Sequence, residues 1–325
     1  MFAYIVRRIA YAIPILIGIN LLTFALFFVV NTPEDMARMH LGMKRVTPEA
    51  IEKWKAEHGY DRPVLYNRTA SGTDRLTETI FFEKSVHLFA FDFGHADDGR
   101  DISHDISQRM WPSLAIAIPV LLVGLLVNIT FAMLMAFFRG TYLDTSGVVL
   151  CVMLMSISSL FYIIGGQFLL GKLFRLVPIS GYEGGIDALK FLVLPVVIGA
   201  VSGIGSGSRW YRTFFLEESG KDFIRTARAK GLKESRVLFV HILRNALIPI
   251  VTGIVVVLPL LFMGSLLLES FFAVPGLGSY TIDAINMQDF AIVRAMVFLG
   301  SVLYIIGLIL TDITYTIVDP RVRLS

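Results

Sequence analysis

The stretch KDFIRTARAKGLKESRVLFVHILRNALIP, residues 221–249, joins two long apolar blocks of the sequence. It carries seven basic residues and two acidic ones, whereas the blocks around it, 191–208 and 245–268, contain no charged residue. An apolar block of about 20 residues is what an α-helix needs to cross the hydrocarbon layer of a membrane. The basic stretch is therefore predicted to connect two membrane spans.

Four further apolar blocks share this pattern. The chain of 325 residues is 55% hydrophobic, with a mean hydropathy of +0.69. Only helices and closed barrels satisfy their backbone in lipid, and the blocks lack the period-2 alternation of barrel strands. The first block has 22 residues, longer than the apolar core of a signal peptide, so it is predicted to be an uncleaved helix. The sequence thus predicts an all-α polytopic membrane protein with six spans. The remaining blocks are 9–30, 110–138, 145–171 and 295–311.

The distribution of lysine and arginine predicts the orientation of the spans. These residues concentrate in the short cytoplasmic loops of membrane proteins. With the N-terminus inside, nine basic residues from Arg209 to Arg244 face the cytoplasm, together with Arg139 and two near each end of the chain. The short loops on the opposite side carry three after the third span and none from 270 to 290. Both termini are therefore predicted to be cytoplasmic.

This topology divides the chain into four parts. They are the N-terminus with the first span (1–30), an external loop (31–111), a core of spans two to six (112–318) that includes the cytoplasmic loop 209–245, and a cytoplasmic tail (319–325).

The long external loop is predicted to be structured. TPEAIEKWKAEHG, residues 47–59, indicates a short helix with Thr47 as its cap, Pro48 as its first residue and Gly59 as its stop. FAFDFG, residues 89–94, is an aromatic segment typical of a strand or a turn. Five of the six histidines also lie in this loop, but no pair has the helical spacing of metal ligands. A solvated polar loop explains them, and no metal site is predicted.

Glycines recur every four residues in the fourth span, at Gly199, Gly203 and Gly207. This spacing places them on one helix face, where another backbone can approach closely. Ordinary helix packing explains the pattern, and so does a transport pathway that opens and closes against a partner subunit.

The spans contain few ionisable residues and no chemical motif. Glu269, Arg294 and Asp312 lie near the ends of spans, where the charged groups are expected to snorkel to the interface. No charged chain crosses the bilayer centre, which argues against a proton- or sodium-coupled pump. The sequence has no phosphate-binding loop, zinc-protease motif or nucleophile elbow. The chain is therefore predicted not to be an enzyme, and any transport must be powered by another subunit.

The basic stretch itself fits two short helices, 222–230 and 232–244, hinged at Gly231. One interpretation is an amphipathic surface helix whose basic residues meet anionic lipid. A more specific interpretation comes from resemblance. RTARAKGL…HILRNALIP resembles the cytoplasmic loop of binding-protein-dependent ABC importer permeases, and most closely their oligopeptide, dipeptide and nickel branch.

Four other segments are similar to the same branch, in the same order along about 300 residues. They are YIVRRIAYAIPILIGINLLTF at the N-terminus, HGYDRPV with FDFG in the external loop, GSLLLESFFAVPGLGSYTIDAI after the fifth span, and DITYTIVDPRVR at the C-terminus. The resemblance implies the type I importer permease fold, placed in the bacterial inner membrane.

In that family the loop is a coupling helix that fits a groove on a cytoplasmic ATPase. Its usual motif is EAA–x3–G. Gly231 and Ala227 match the glycine and the second alanine, whereas Arg225 and Thr226 replace the glutamate and the first alanine, which leaves no role for a glutamate charge. The resemblance assigns ATPase contact to Arg225, Thr226, Ala227, Arg228, Lys230 and Gly231.

The resemblance also implies partners. These are a second permease, usually a paralogue, two ATPases that bind ATP and Mg²⁺, an external solute-binding protein and membrane lipid, with no nucleic acid. This chain would bind no cofactor of its own. Trp54, Phe91 and Phe93 are candidates for docking the binding protein. Peptides or peptide-like antibiotics are the expected substrates, with nickel or other metal chelates or other small solutes as the alternative. A secondary transporter and a membrane scaffold remain competing classes.

Overall fold

The structure is a computed structural model that describes residues 2–42, 47–68 and 70–318. These residues form helices and loops, and within them the only β-type contact is an isolated antiparallel bridge between His95 and Asp101. The predicted all-α class is confirmed. The predicted cytoplasmic tail, 319–325, lies outside the described residues.

Fourteen α-helical segments follow one another along the described chain. The first seven are α1 (Phe2–Ala25), α2 (Pro33–Leu41), α3 (Pro48–Glu57), α4 (Asp74–Thr77), α5 (Ile102–Phe137), α6 (Tyr142–Ser156) and α7 (Ser159–Gly166). The other seven are α8 (Ala188–Ser219), α9 (Asp222–Ala229), α10 (Glu234–Arg236), α11 (Leu243–Val257), α12 (Leu266–Phe272), α13 (Leu277–Met287) and α14 (Phe290–Val318).

Five helical segments are long and apolar enough to cross a membrane, and a bent pair makes a sixth candidate span. The bent pair is the predicted third span, which is not one straight helix. Tyr142–Ser156 and Ser159–Leu173 meet at an angle of 87°. Ile157 and Ser158 between them have extended backbones, which interrupt the helical hydrogen bonding. Apolarity predicts that this block enters the membrane, but it does not reveal the break.

The chain forms two compact units. One contains the described residues up to Arg109 together with Tyr280–Ile309, and the other contains Met110–Ser279 together with the described residues from Leu310 to Val318. Each unit has its own hydrophobic core.

The core of the first unit is aromatic and is built largely by the predicted external loop. α3 has the predicted limits: the Thr47 hydroxyl accepts a hydrogen bond from the Ala50 N–H at 3.4 Å, and Gly59 after the helix has a φ of +70°. Its buried residues pack with aromatic residues of the first span. This loop is therefore a folded structure, as predicted. The core residues are Phe24, Phe27, Phe28, Met36, Ala37, Ile51, Trp54, Tyr60 and Ile80.

In the second unit, close packing and an ion pair join α6 to α8. Gly205 of α8 lies against the backbone of Cys151, so closely that a Cβ there would overlap the Cys151 carbonyl. Nearer the cytoplasmic end of the predicted topology, Arg212 of α8 donates two hydrogen bonds to the buried Asp144 carboxylate, at 2.9 and 2.8 Å. Asp144 also accepts a hydrogen bond from the Gly140 N–H at 3.1 Å. These contacts fix the two helices to each other and to the turn after α5.

Candidate functional site

The basic stretch folds as a helix, a tight glycine turn and a second helix that continues into a span. α9 ends at Ala229, and Gly231 has a φ of +75°, a conformation that glycine adopts without steric cost. The hinge at Gly231 is thus confirmed. The second helix is not short, however. From Glu234 it continues to Met263 as one helical segment of 30 residues, so it does not end near residue 244.

One face of α9 is buried within the second unit. Ile224 is fully buried and Ala227 nearly so, and they pack against Phe215 of α8 and Val237 and Leu238 at the start of the next helix. Burial of a side chain the size of isoleucine stabilises a fold by about 1.5–3 kcal/mol. Since the same cluster includes Ala132 of α5 and Ile250 of α11, the helix is anchored on three spans. The other members of the cluster are Ile242 and Ala246.

The opposite face of α9 is exposed and carries most of the predicted coupling residues. Ala227 is the exception in the predicted set, because its methyl group is buried and packs in the hydrophobic cluster under α9. Phe223 is not among the predicted residues, yet it is 42% exposed and lies one residue before the buried Ile224. An apolar residue off the buried face of an amphipathic helix is the signal that could have found it. The exposed residues of the predicted set are Arg225, Thr226, Arg228, Lys230 and Gly231.

An ion pair braces the turn around Gly231. The guanidinium of Arg228 donates two hydrogen bonds to the Glu234 carboxylate, at 2.8 and 3.2 Å. This pair joins α9 to the start of the next helix and closes the glycine turn. Arg225 pairs more loosely with Asp222, at 3.4 Å. Two of the three cations assigned to ATPase contact therefore already have acidic neighbours within the chain.

The three glycines of α8 have different surroundings. A Cβ on Gly199 would lie 2.9 Å from a Val120 methyl, and a Cβ on Gly207 would overlap the Asn128 amide. A Cβ on Gly203 would meet no atom within 4 Å. Gly199 and Gly207 therefore allow α8 to approach α5 closely. This supports the interpretation that these two glycines serve ordinary helix packing. Gly199 also lines a cavity, so a pathway role for this face stays a prediction.

That cavity has a volume of about 430 Å³ and lies within the second unit. It is largely apolar, four serine side chains supply its polar groups, and none of its lining residues is charged. A wall without charged residues places no charge requirement on a molecule that occupies the cavity. The four serines are Ser113, Ser159, Ser202 and Ser265.

The three predicted docking residues of the external loop differ in exposure. Trp54 is only 6% exposed and its ring stacks on His58 with centroids 4.1 Å apart, so it is a core side chain. Phe91 is 53% exposed and has a left-handed backbone, with a φ of 57°. Phe93 is partly buried. FDFG is a turn rather than a strand, and Phe91 is the ring that it presents.

Histidines and aspartates of this loop cluster around Asp97. His58 and His40 lie 3.6 and 3.9 Å from its carboxylate, and its N–H donates to Asp289 at 2.8 Å. Burial is the main cause that raises the pKa of Asp97, the Asp289 charge adds to it, and the two histidines partly offset the increase. Within the described ranges, no group of three or more histidine, cysteine or acidic residues could hold a metal ion.

Two of the charged residues expected to snorkel are buried, so that expectation is wrong for Glu269 and Arg294. The Arg294 guanidinium donates to the backbone carbonyls of Phe290 and Lys84, at 3.3 and 3.2 Å, and lies over the Phe28 ring. Glu269 is held by backbone N–H groups. In both cases partners from other segments replace the water that a snorkelling side chain would reach.

Comparison with known proteins identifies the class to which this arrangement belongs. A family profile described as the inner membrane component of binding-protein-dependent transport systems matches residues 128–324. A second profile, for the N-terminal part of such membrane components, matches residues 1–73. The chain belongs to this family. It is a multi-pass inner membrane permease of the ABC importer class, with the type I importer permease fold.

Individual relatives match almost the whole chain. A Brucella abortus protein named as a peptide transport system permease is 33% identical to it, and the match covers 99% of both chains. The dipeptide transport system permease protein of Escherichia coli K12 is 30% identical, again over 99% of both. The oligopeptide transport system permease protein of Bacillus subtilis is 29% identical over 99% of this chain and 100% of that protein.

Proposed function

We propose that this chain is the membrane-spanning permease subunit of an ATP-driven importer that carries peptides across the inner membrane by alternating access. The observation that carries the proposal is α9 with its glycine turn. One face is packed into a core shared by α5, α8 and α11, and the other presents Phe223 and basic residues. A helix held in this way transmits a push from a partner directly to the spans.

The partner that pushes is a cytoplasmic ATPase. Phe223 fits the role of an apolar anchor in a groove, since aromatic residues dominate binding energy at interfaces. Lys230, together with the exposed Arg225 and Arg228, supplies positive charge for acidic residues of the groove. ATP and Mg²⁺ bind to two such ATPases, and this chain is a non-catalytic subunit without a cofactor. The proposed topology places both termini and α9 in the cytoplasm.

Two further partners complete the importer. A second permease, a paralogue or another copy of this chain, lies beside this one in the membrane. A solute-binding protein delivers substrate to the external side, where the folded external loop provides the docking surface.

Peptides are the proposed substrates because the three relatives described above are named for peptide, dipeptide and oligopeptide transport. The uncharged cavity beside Gly199 fits a permissive route for side chains of varied chemistry. Nickel or other metal chelates are the second candidate, because they are the other substrates of the branch that the sequence resembles.

The test is uptake by the reconstituted complex. The permease, purified with its co-purifying subunits and placed in proteoliposomes, is expected to accumulate a labelled di- to pentapeptide only with internal ATP and the external binding protein. Competition by unlabelled peptide but not by nickel–histidine chelate is the expected result. ATP-independent uptake would support a secondary transporter, and the reverse competition pattern would support metal-chelate import.

Replacing Phe91 with asparagine is expected to weaken docking of the binding protein. Asparagine tolerates the left-handed backbone at this position, so the substitution removes the exposed ring with little strain. An aromatic anchor contributes about 2 kcal/mol to an interface, so half-maximal uptake should need at least about tenfold more binding protein. Tyr66→Asn, which changes another exposed ring of the loop, serves as the control. Equal effects of the two variants would contradict a specific role for Phe91.

A further inference from the structure

A buried carboxylate fastens one short segment over the apolar cavity of the second unit. We call residues 264–279 the cap segment. It contains α12 and the turn that follows, and its Gly264, Ser265, Leu267 and Leu268 line the cavity. At the centre of the cap segment is Glu269, which is fully buried.

The Glu269 carboxylate holds the two ends of the cap segment together. It accepts hydrogen bonds from the backbone N–H groups of Ser265, Gly278 and Ser279, at 3.0, 2.7 and 3.1 Å. Gly264 and Gly276 lie against it so closely that a Cβ on either would overlap the carboxylate. Hydrogen bonds to a buried charge are among the stronger ones in proteins.

The same carboxylate attaches the cap segment to α5. The Ser113 hydroxyl of α5 donates a hydrogen bond to the Glu269 carboxylate and accepts one from the Leu277 N–H at 2.8 Å. Ser113 itself lines the cavity. Two further bonds fix the other side of the segment: the Gln167 amide donates to the Phe271 carbonyl at 2.9 Å, and the Gly181 N–H donates to the Phe272 carbonyl at 2.8 Å.

Apolar packing and polar contacts hold different parts of the cap segment in place. Phe272 and Val274 are buried in a hydrophobic cluster with Ile116 of α5 and Ile198 of α8. Leu266, Leu267 and Phe271 are exposed in this chain, so the first part of the segment depends more on the Glu269 contacts. Loss of the hydrogen bonds around Glu269 would therefore release this first part, while the packing of Phe272 and Val274 keeps the rest of the segment attached.

The cap segment and the cluster under α9 contact α5 at two widely separated points. Ser113 is 19 residues from Ala132, which packs in the cluster under α9. At 1.5 Å per residue the two contacts are about 28 Å apart, close to the thickness of the hydrocarbon layer. On the proposed topology the cap segment is therefore at the external end of the cavity. It contacts α5, and the cytoplasmic part of the same helix packs in the cluster under α9.

From this arrangement we infer that Glu269 is the positioning residue of an outer gate. Its carboxylate, together with Ser113, holds the cap segment across the external end of the cavity, and release of the Ser113 contact opens the cavity to the outside. The inference rests on the proposed alternating-access function and adds to it the gate and the residue that fastens it.

The test measures access to the cavity from outside. The assembled importer, in right-side-out vesicles, carries Cys151→Ala to remove the native thiol and Ala117→Cys to place a reporter in the cavity wall. A membrane-impermeant maleimide is added externally, with and without trapped ATP. Without nucleotide, Glu269→Ala is expected to raise the labelling rate about tenfold, because several charge-assisted hydrogen bonds are lost. With ATP trapped, the variant and its background should label alike, since the gate is then open in both.

Ser270→Ala is the matched control, because Ser270 is adjacent and its buried hydroxyl has no hydrogen-bond partner among the described residues. It should label like the background. Ser113→Ala removes only the hydroxyl on α5 and should show the Glu269→Ala pattern at smaller size, which keeps the test decisive if Glu269→Ala fails to assemble. Unchanged labelling without nucleotide, or an equal rise in both nucleotide states, would overturn the inference. If ATP does not change the labelling rate of the background importer, which carries only Cys151→Ala and Ala117→Cys, the result would contradict alternating access instead. The comparison without nucleotide would still decide the role of Glu269.

Discussion

Replacing Ile224 with aspartate is expected to abolish the coupling site while the spans remain in the membrane. Ile224 is fully buried against Phe215, Val237 and Leu238. An unpaired carboxylate in that cluster is among the most destabilising changes a single residue can make, about 4 kcal/mol or more. The purified variant should lose its ATPases and unfold at lower temperature, which size-exclusion chromatography and thermal unfolding in detergent would measure.

Phe223→Asp is the matched control one residue away. Because Phe223 is exposed, its substitution should change the free energy of unfolding by less than about 0.5 kcal/mol. It should nevertheless weaken ATPase association, since the ring is the proposed anchor. Loss of stability in both variants, or ATPase binding retained in Ile224→Asp, would contradict the division of α9 into an anchored face and a partner face.

Removal of the Asp144 carboxylate is expected to destabilise the α6–α8 pair strongly. Asp144→Ala leaves the Arg212 guanidinium without its two hydrogen bonds and the Gly140 N–H without its acceptor. Breaking a buried ion pair from one side costs about 3–5 kcal/mol. The free energy of unfolding, measured by denaturant titration in detergent, should fall accordingly.

An exposed ion pair provides the comparison. Asp222 pairs with Arg225 at the surface of α9, and Asp222→Ala should cost no more than about 0.5 kcal/mol. The double replacement Asp144→Leu with Arg212→Met should recover most of the loss, because well-packed apolar side chains substitute for a buried pair. A small effect of Asp144→Ala would mean that the pair does not hold the two helices together.

The membrane spans were predictable because each depends on one continuous apolar block. The break at Ile157 and Ser158 was not predictable from that block, since neither proline nor glycine marks it. The helix after Thr47 was predictable from its cap, its proline and its stop, all of which act within about one turn.

The coupling site was predictable in part. Gly231 and the exposed cations follow from local sequence, whereas the burial of Ala227 depends on Phe215 of another helix. The burial of Glu269 and Arg294 lay beyond local pattern. Arg294 donates to the carbonyl of Lys84, 210 residues away, and Glu269 is held by Ser113 of a different span. Long-range partners of this kind leave no periodicity in the sequence.

The Gly231 turn is the proposed site at which an ATPase binds this permease. A Cβ at Gly231 meets no atom of this chain within 4 Å, so a large side chain there projects away from the fold, although the φ of +75° strains any residue other than glycine. Gly231→Asn keeps the left-handed backbone with a small side chain, and Gly231→Trp adds bulk at the proposed interface.

The most direct measurement is affinity purification of tagged wild-type, Gly231→Asn and Gly231→Trp permease from native membranes, with quantitative mass spectrometry of the co-purifying chains. We expect P-loop ATPases and a second permease with the wild type and with Gly231→Asn, and loss of the ATPases alone with Gly231→Trp. Full recovery of the ATPases with Gly231→Trp, or recovery of this chain without any ATPase in the wild type, would contradict the proposed ATPase site.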